Sequence, residues 1–156
     1  MEDIISQAHK LLLKKRLSVA VAESCSGGLI SCLLTELPGS SQYFLLGVVA
    51  YSNTTKNTLL GIPFGTIHKN GAVSGKVADY MAREVRKLAK ADCGIGVTGI
   101  AGPTGASVNK PIGTVFISIS SKNKNSCRKF RFSGNRTQIR KKTALKALRL
   151  LINFLK

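Results

Sequence analysis

The sequence predicts a three-layer α/β/α domain over residues 1–156, with a mixed, mostly parallel sheet of about five strands. Short apolar, β-branched segments alternate along the chain with amphipathic helical patterns, which is typical of such folds. A chain of 156 residues that is 44% hydrophobic and 20% charged can bury one core but not two. Two late strand-like segments separated by a short turn predict that the sheet ends in an antiparallel hairpin.

The first part of the chain predicts a helix, a strand and a second helix. Apolar side chains recur at helical spacing over residues 2–16, at Ile4, Ile5, Ala8, Leu11 and Leu12. Residues 17–22 predict a short strand that stops at a turn rich in serine and glycine, residues 23–28. Residues 29–37 then predict a helix, which the Pro38-Gly39 pair ends.

The middle of the chain predicts one strand and three helices. Residues 43–51 are almost wholly apolar, which favours a strand buried on both faces in the middle of the sheet. Asn53 is expected to cap a short helix over residues 54–60, and another short helix follows Pro63. Ser74 is the expected N-cap of a long helix over residues 75–90.

The last part of the chain predicts three strands and a final helix. Residues 92–98 and 114–120 are strand-like, and a glycine-rich loop separates them. Residues 128–132 alternate basic and apolar side chains, as an antiparallel edge strand does. The final helix follows Gly134-Asn135, and its buried face is predicted to comprise Ile139, Ala144, Ala147, Leu148, Leu151, Ile152 and Leu155.

Composition excludes several classes of protein. The sequence has no run of eighteen apolar residues, and its first three residues include two acids where a signal peptide needs a basic start. We therefore expect a cytoplasmic protein that does not bind membranes. The four cysteines lie far apart and there are two histidines, so neither a disulfide framework nor a metal site is predicted.

Charge is distributed unevenly along the chain. The formal net charge is +17, from 24 basic and 7 acidic side chains. Residues 1–92 contain 11 basic and all 7 acidic side chains, whereas residues 93–156 contain 13 basic and none acidic. Such a balance attracts nucleic acid, acidic membranes or a phosphorylated metabolite. A solvated basic surface without a ligand is the alternative.

The turn over residues 24–28 is the first candidate for chemistry. Ligands of open α/β sheets bind beyond the carboxyl ends of the strands, and this turn follows a predicted strand. Ser24 and Cys25 are candidate nucleophiles, and backbone amides at the start of the next helix favour an anion or a developing oxyanion. The alternatives are a plain turn with a capping serine, and for Cys25 a packed, unreactive thiol.

A serine nucleophile needs a base, and lysine is the best candidate here. His9 falls on the first helix and His68 in a surface stretch, so neither histidine is well placed. Lys56 follows the 43–51 strand and would act as a base if its pKa were lowered, as in Ser-Lys variants of the catalytic triad. A solvated helix lysine is the alternative.

Two further segments are candidates for ligand contacts. The loop that starts at Thr98 offers backbone amides and a hydroxyl to a phosphate or an amide, although its Gly99, Gly102, Gly105 spacing matches no phosphate-binding motif. Arg136 lies in the first turn of the final helix, where a cation opposes the helix dipole unless it meets an anion or a catalytic group. A flexible connection and a surface arginine are the alternatives.

Six motifs together resemble the CinA C-terminal domain family, the nicotinamide-nucleotide amidohydrolases. They occur in order along nearly the whole chain: Ala22-Glu-Ser-Cys-Ser-Gly-Gly28, Tyr51-Ser-Asn-x-x-Lys56, Gly71-Ala-Val-Ser74, Thr98-Gly-Ile-Ala-Gly-Pro103, Lys110-Pro-Ile-Gly-Thr-Val115 and Phe132-Ser-Gly-x-Arg136. Two positions depart from the family pattern. Ser26 replaces a threonine, and Thr104-Gly105-Ala106 stands where Asp-Gly-Gly is common.

The resemblance implies hydrolysis of the carboxamide of nicotinamide mononucleotide to nicotinic acid mononucleotide and ammonia, without a cofactor. It implies Ser24 as nucleophile and Lys56 as its base, with Tyr51, Thr98 and Arg136 completing the catalytic site. The substrate contacts we expect come from Ser26, Gly27, Gly28, Ser41, Asn53, Gly99 and Gly102.

Two other functions stay open at this stage. One is a nucleic-acid-binding module, although three tyrosines and no tryptophan offer little for base stacking. The other is a catalytically silent relative that binds a nucleotide. The expected partners are a small nucleotide and a second copy of the chain in a homodimer.

Overall fold

A computed structural model describes residues 3–156. Its strands are β1 (Val19–Glu23), β2 (Phe44–Val49), β3 (Cys93–Gly99), β4 (Thr114–Ser120) and β5 (Asn125–Arg131). Its helices are α1 (Ile4–Lys15), α2 (Leu29–Leu34), α3 (Asn53–Leu60), α4 (Phe64–Asn70), α5 (Gly75–Ala89) and α6 (Arg136–Leu155). The first residue of the helix predicted over 2–16 lies outside the described range.

The strands form one mixed sheet in the order β2-β1-β3-β4-β5. β1 pairs parallel with β2 and β3, whereas β4 runs antiparallel to both β3 and β5. Four of the five strands therefore point in the same direction, and helices cover both faces. The predicted three-layer α/β/α architecture with a closing hairpin is confirmed.

Each face of the sheet has its own apolar core. On one face, Val19 and Val21 of β1 belong to a buried cluster that includes residues of α1, α2 and α6. On the other face, Ala20 and Ala22 belong to a cluster with residues of α3, α4 and α5. β1 alternates between the two cores and all five of its residues are buried, as expected for a strand in the middle of a sheet.

Two glycines of β3 allow α5 to pack very closely on the sheet. A Cβ atom at Gly94 would overlap the backbone carbonyl of Ala82, and one at Gly96 would overlap that of Ala78. This contact anchors α5, and with it the segment before α5 that forms part of the site described below.

The expectation of a central, doubly buried strand over residues 43–51 is wrong. β2 is an edge strand paired only with β1, and alternate residues along it are exposed. Leu45 and Val49 are 49% and 47% exposed. The physical reason is the short α2, which ends at Leu34 rather than Leu37 and covers only part of that face.

The predicted cap of α3 is also wrong. The side chain of Ser52, not of Asn53, accepts the hydrogen bond from the backbone N–H of Thr55 at 3.0 Å. Ser52 has the extended backbone that an N-cap needs, so the helix begins one residue earlier than predicted. By contrast, Ser74 caps α5 as expected, with its oxygen 3.2 Å from the Val77 nitrogen.

Candidate active site

The register of the sheet brings three loops to one edge. Glu23, the last residue of β1, lies level with Val49 of β2 and Val97 of β3. The segments that follow these strands therefore meet at the carboxyl edge, where they form a cavity of about 320 Å³. Its lining comprises Ser24, Cys25, Tyr51, Asn53, Lys56, Ala72, Val73, Thr98, Gly99, Ile100, Ala101, Gly102, Thr104, Gly105 and Arg136.

Ser24 and Lys56 are in direct contact at the base of this cavity. The Nζ atom of Lys56 donates a hydrogen bond to Ser24 Oγ at 3.1 Å. The same nitrogen donates to the carbonyl oxygens of Ala50 at 2.8 Å and Tyr51 at 3.3 Å. Lys56 is 1% exposed because it lies on the buried side of α3, immediately after the end of β2.

The surroundings of Lys56 favour its neutral form. Burial lowers the pKa of the amine below the ordinary lysine value, and the thiolate form of Cys25 acts in the opposite direction. The three hydrogen-bond acceptors of Nζ are uncharged, and no carboxylate in residues 3–156 forms an ion pair with it. A neutral amine has two N–H donors, enough for the two carbonyl oxygens, and a lone pair that can accept the proton of the Ser24 hydroxyl.

The turn that carries Ser24 is fixed by its own backbone. The Ser24 nitrogen donates to the Val97 carbonyl and the Gly27 nitrogen donates to the Ser24 carbonyl, both at 3.1 Å. Gly27 has a φ of +62°, and a Cβ there would lie 3.0 Å from Nη2 of Arg140. Glycine is thus favoured at this position both by backbone conformation and by space.

The buried carboxylate of Glu23 occupies the start of α2. It accepts hydrogen bonds from the backbone nitrogens of Gly28 at 3.0 Å, Ile30 at 3.1 Å and Ser31 at 2.8 Å, and from Ser31 Oγ at 2.7 Å. These helix amides therefore bind a protein carboxylate, whereas the sequence suggested a ligand anion there. Glu23 stands next to Ser24 in the motif, which is the signal that sequence reasoning overlooked.

Arg140 is a second residue that sequence reasoning missed. Its Nε and Nη2 atoms donate to the carbonyl oxygen of Ser26 at 3.2 and 3.1 Å. Arg140 follows Arg136 by four residues, so the two side chains share one side of α6. That spacing could have identified Arg140 as a contact of the same turn.

The structure favours the packed-thiol interpretation of Cys25. Its side chain is buried, and burial raises the pKa of the thiol to about 12. A thiol with such a pKa carries almost no thiolate near neutral pH, and the thiolate is the nucleophilic form. Ser24 is therefore the better candidate nucleophile in this turn.

Arg136 closes one wall of the cavity. Its Nη1 donates to the Gly102 carbonyl and its Nη2 to Tyr51 Oη, both at 2.8 Å. The side chain thus connects the segment after β2 with the loop after β3. The buried hydroxyl of Thr98 donates to the Ala72 carbonyl at 2.8 Å, which fixes the segment before α5 against β3.

The structure brings eight of the twelve predicted site residues together. Those that line the cavity are Ser24, Tyr51, Asn53, Lys56, Thr98, Gly99, Gly102 and Arg136. The other four do not line it. Sequence reasoning did not assign roles to the lining residues Ala72, Val73, Ile100, Ala101 and Thr104, although the first four belong to motifs that it quoted.

The four remaining residues have other environments. Ser41 lies in a single 3₁₀ turn before β2, at the opposite end of that strand from the cavity. Ser26 is buried, and its hydroxyl has no hydrogen-bond partner in the described chain. Gly27 and Gly28 shape the turn, and the Gly28 nitrogen donates to Glu23. A contact between any of them and a substrate stays a prediction.

A family model described as the CinA C-terminal domain matches residues 1–155. The chain belongs to the CinA C-terminal domain family. It is 44% identical over 155 residues to a "Putative competence-damage inducible protein" from Thermoanaerobacter pseudethanolicus, covering 99% of this chain and 37% of that protein. It is 46% identical over 147 residues to a "CinA-like protein" from Geobacter metallireducens, covering 94% of this chain and 36% of that protein.

Solved structures of the CinA family share the fold. The competence/damage inducible protein CihA from Agrobacterium tumefaciens matches with a TM-score of 0.94 at 37% identity, over 100% of this chain and 98% of that chain. A competence or damage-inducible protein from Enterobacter asburiae matches with a TM-score of 0.94 at 28% identity, over 98% and 96% of the two chains.

These relatives establish the family but specify no reaction. Their names refer to competence and damage. The chain spans about 37% of the length of the curated relatives it matches first.

No helix in residues 3–156 is both long and apolar enough to cross a membrane. Within the same residues, no three side chains of histidine, cysteine, aspartate or glutamate come together as a metal site would require.

Proposed function

We propose that this chain hydrolyses the carboxamide of nicotinamide mononucleotide, giving nicotinic acid mononucleotide and ammonia. The resemblance to the amidohydrolases suggests the substrate. The main support for this type of reaction is the 3.1 Å contact between Lys56 Nζ and Ser24 Oγ, in which the amine is buried among uncharged partners. A hydroxyl and an amine so arranged suit nucleophilic attack on an amide.

The first half of the reaction forms an acyl-enzyme. Neutral Lys56 takes the proton of Ser24 as Oγ bonds to the carboxamide carbon, and the carbonyl oxygen becomes an oxyanion. When the carbonyl reforms, the carbon–nitrogen bond breaks and protonated Lys56 returns the proton to the leaving nitrogen. Ammonia departs and the nicotinoyl group stays esterified to Ser24.

The second half of the reaction regenerates the enzyme. Lys56, neutral again, takes a proton from water as the water oxygen attacks the ester carbon. Collapse of this second intermediate breaks the bond to Ser24 Oγ, and the proton on Lys56 passes back to that oxygen. The released acid loses its own proton to solvent. The whole route uses groups of the chain and water.

The cavity suits a small nucleotide. Its volume of about 320 Å³ is within the usual range for small-molecule sites. Arg136 lies in its wall, and its two acceptors there, the Gly102 carbonyl and the Tyr51 hydroxyl, are neutral. The guanidinium charge is therefore available to an anionic part of the substrate, and a phosphate is the group that arginine binds well.

The experiment is an assay of ammonia release from nicotinamide mononucleotide. We expect turnover by the natural chain and a loss of at least 1,000-fold for Ser24→Ala, in line with removal of a nucleophile. Calorimetry with the same nucleotide separates binding from chemistry. Tight binding without ammonia release by the natural chain would indicate a catalytically silent relative and contradict the proposal.

Two further proposals concern organisation. Residues 1–156 form one amidohydrolase domain, and two copies pair as a homodimer. Sedimentation analysis at micromolar concentration tests the second proposal, since a mass of one chain would contradict it.

A further inference from the structure

A groove between β5 and α6 is lined by cations and lies apart from the active site. At one end, a hollow of about 180 Å³ contains Lys124 and Arg128 beside Phe154. At the other end, a hollow of about 260 Å³ contains Lys142, Lys146 and Arg149 beside Phe132. Phe130 links the two ends, because Lys146 Nζ lies 5.0 Å from the centre of its ring. We call the set Lys124, Arg128, Lys142 and Lys146 the basic groove.

β5 and α6 place the two hollows at opposite ends of one row of cations. Arg128, Phe130 and Phe132 are two residues apart, so their side chains share the α6 face of the strand. α6 runs in the opposite direction, with Phe154 over one end and Lys142 over the other. A strand of the length of β5 extends for roughly 20 Å, which sets the scale of the groove.

The cations of the basic groove have no acidic partner within residues 3–156. No acidic residue follows Asp92 in the sequence. Several acids elsewhere have local partners: Asp79 pairs with Arg83 at 3.1 Å, Glu84 pairs with Lys87 at 2.8 Å, and Asp92 accepts from Ser18. Asp3, which borders a hollow with Arg149, accepts from the nitrogens of Ile5 and Ser6.

An unbalanced row of cations repels itself and attracts a polyanion. Binding to a phosphate backbone relieves this repulsion and releases the counterions of the nucleic acid. We propose that the basic groove binds the phosphate backbone of double-stranded nucleic acid without sequence preference. None of its four residues lines the cavity that holds Ser24 and Lys56, so the two sites are separate.

The surface of the groove favours a duplex over the other polyanions. Surface binding to lipid uses exposed apolar side chains, and neither β5 nor α6 exposes a large apolar residue. Single strands bind by stacking bases on open aromatic rings. The rings of Phe130 and Phe154 are instead partly buried, and Lys146 and Lys124 lie over them at 5.0 and 4.7 Å. With insertion into lipid and base stacking both disfavoured, contacts to the phosphates of a duplex are the mode of binding that this surface supports.

The test is fluorescence anisotropy with a labelled DNA duplex of about 20 base pairs at several salt concentrations. Four phosphate contacts predict that the logarithm of affinity falls with the logarithm of salt concentration at a slope of about −4. The double variant Arg128→Glu/Lys142→Glu removes one cation from each hollow. We expect it to bind at least tenfold more weakly and to reduce the slope by about 2.

A matched control has the same charge change on the other face of the sheet. Lys69→Glu/Lys76→Glu also lowers the formal net charge of +17 by four units, at two exposed positions on α4 and α5 that lie outside the ion pairs Asp79–Arg83 and Glu84–Lys87. We expect its affinity to stay within about threefold of the natural chain. An equal loss in both variants would show that net charge alone attracts DNA, and it would overturn the proposal.

Two further measurements keep the result interpretable. If thermal melting shows that the charge-reversal variant is unfolded, the neutral variant Arg128→Gln/Lys142→Gln replaces it, with an expected loss of several-fold. Vesicles containing phosphatidylserine are the competing polyanion. Absence of saturable DNA binding at low salt, or a stronger dependence of vesicle binding than of DNA binding on the basic groove, would overturn the proposal.

Discussion

The active-site cavity and the basic groove both present cationic side chains, in opposite environments. In the cavity, Lys56 is buried and its amine contacts a hydroxyl and two carbonyl oxygens. In the groove, Lys124, Arg128 and Lys142 are exposed and Lys146 is half-buried, and none of the four has an acidic partner within residues 3–156. Burial lowers the pKa of the first kind of amine and prepares it for proton transfer, whereas solvated cations attract anions.

The total charge of the chain and the reactivity of a single amine therefore depend on different residues. Of the 24 basic side chains behind the net charge of +17, Lys56 and Arg136 line the cavity, and the proposed base is a single amine. Substitutions in each region should therefore affect different measurements.

The largest expected effect comes from paired substitutions of one lysine in each region. Lys56→Gln removes the base for Ser24, so we expect ammonia release to fall by at least 1,000-fold. Lys142→Gln removes a cation of the basic groove and should leave ammonia release within twofold. If circular dichroism shows that both variants are folded, comparable losses of ammonia release would contradict the separate roles of the cavity and the basic groove.

The next effect contrasts a buried with an exposed carboxylate. Glu23→Gln replaces an acceptor of four hydrogen bonds by an amide that must present a donor to backbone N–H groups. We expect a loss of about 2–4 kcal/mol in the free energy of unfolding, measured by urea denaturation. Glu84→Gln, in an exposed pair with Lys87, should change it by less than about 1 kcal/mol. Equal effects would refute the role given to Glu23.

A smaller effect is expected at the wall of the cavity. Arg136→Gln removes the charge and one or both hydrogen bonds to Gly102 and Tyr51. We expect kcat/KM for nicotinamide mononucleotide to fall roughly 10- to 100-fold, corresponding to about 1.4–2.7 kcal/mol. The riboside, which lacks the phosphate, should lose less. An equal loss for both substrates would assign Arg136 to the reaction itself instead of the phosphate.

The smallest effect concerns the loop that departs from the family pattern. Thr104 lines the cavity, and the resemblance described from the sequence implies Asp-Gly-Gly at residues 104–106. Thr104→Asp adds a negative charge near the substrate without touching Ser24 or Lys56. We expect a change in KM of about two- to fivefold with little change in kcat. A collapse of kcat would show that this loop takes part in the reaction.

Many helices and strands could be predicted because the patterns that define them depend on residues close together in the sequence. Ser74 and the apolar spacing of α6 were predictable because capping and amphipathicity depend on nearby residues. The position of β2 in the sheet was not predictable, since an apolar run is equally compatible with a central strand and with an edge strand under a short helix. Ser52 displaced Asn53 as the cap because adjacent polar residues compete for one role.

The site was predictable where motifs mark the ends of strands. Ser24 and Lys56 follow β1 and β2, and Thr98 lies near the end of β3. The three strand ends share one register, so the proximity of these residues is a consequence of topology. Glu23 and Arg140 act on the backbone of the turn. Their positions next to Ser24 and four residues after Arg136 indicate that they lie near the site, but the atoms they contact follow only from the structure. Ser41 lies before β2 and does not line the cavity, so its contact with a substrate stays a prediction.

In the proposed reaction Lys56 acts as a neutral base for Ser24. A titration of the Lys56 amine is the direct test of that role. Because burial lowers its pKa, the amine should lose its proton on a rising pH scale before an ordinary lysine does, and kcat/KM should rise over the same pH range. The measurement is an NMR titration of the Lys56 side chain in the labelled protein. We predict a midpoint below the ordinary value of 10.5. A midpoint at or above 10.5, with activity unchanged across that range, would contradict the mechanism.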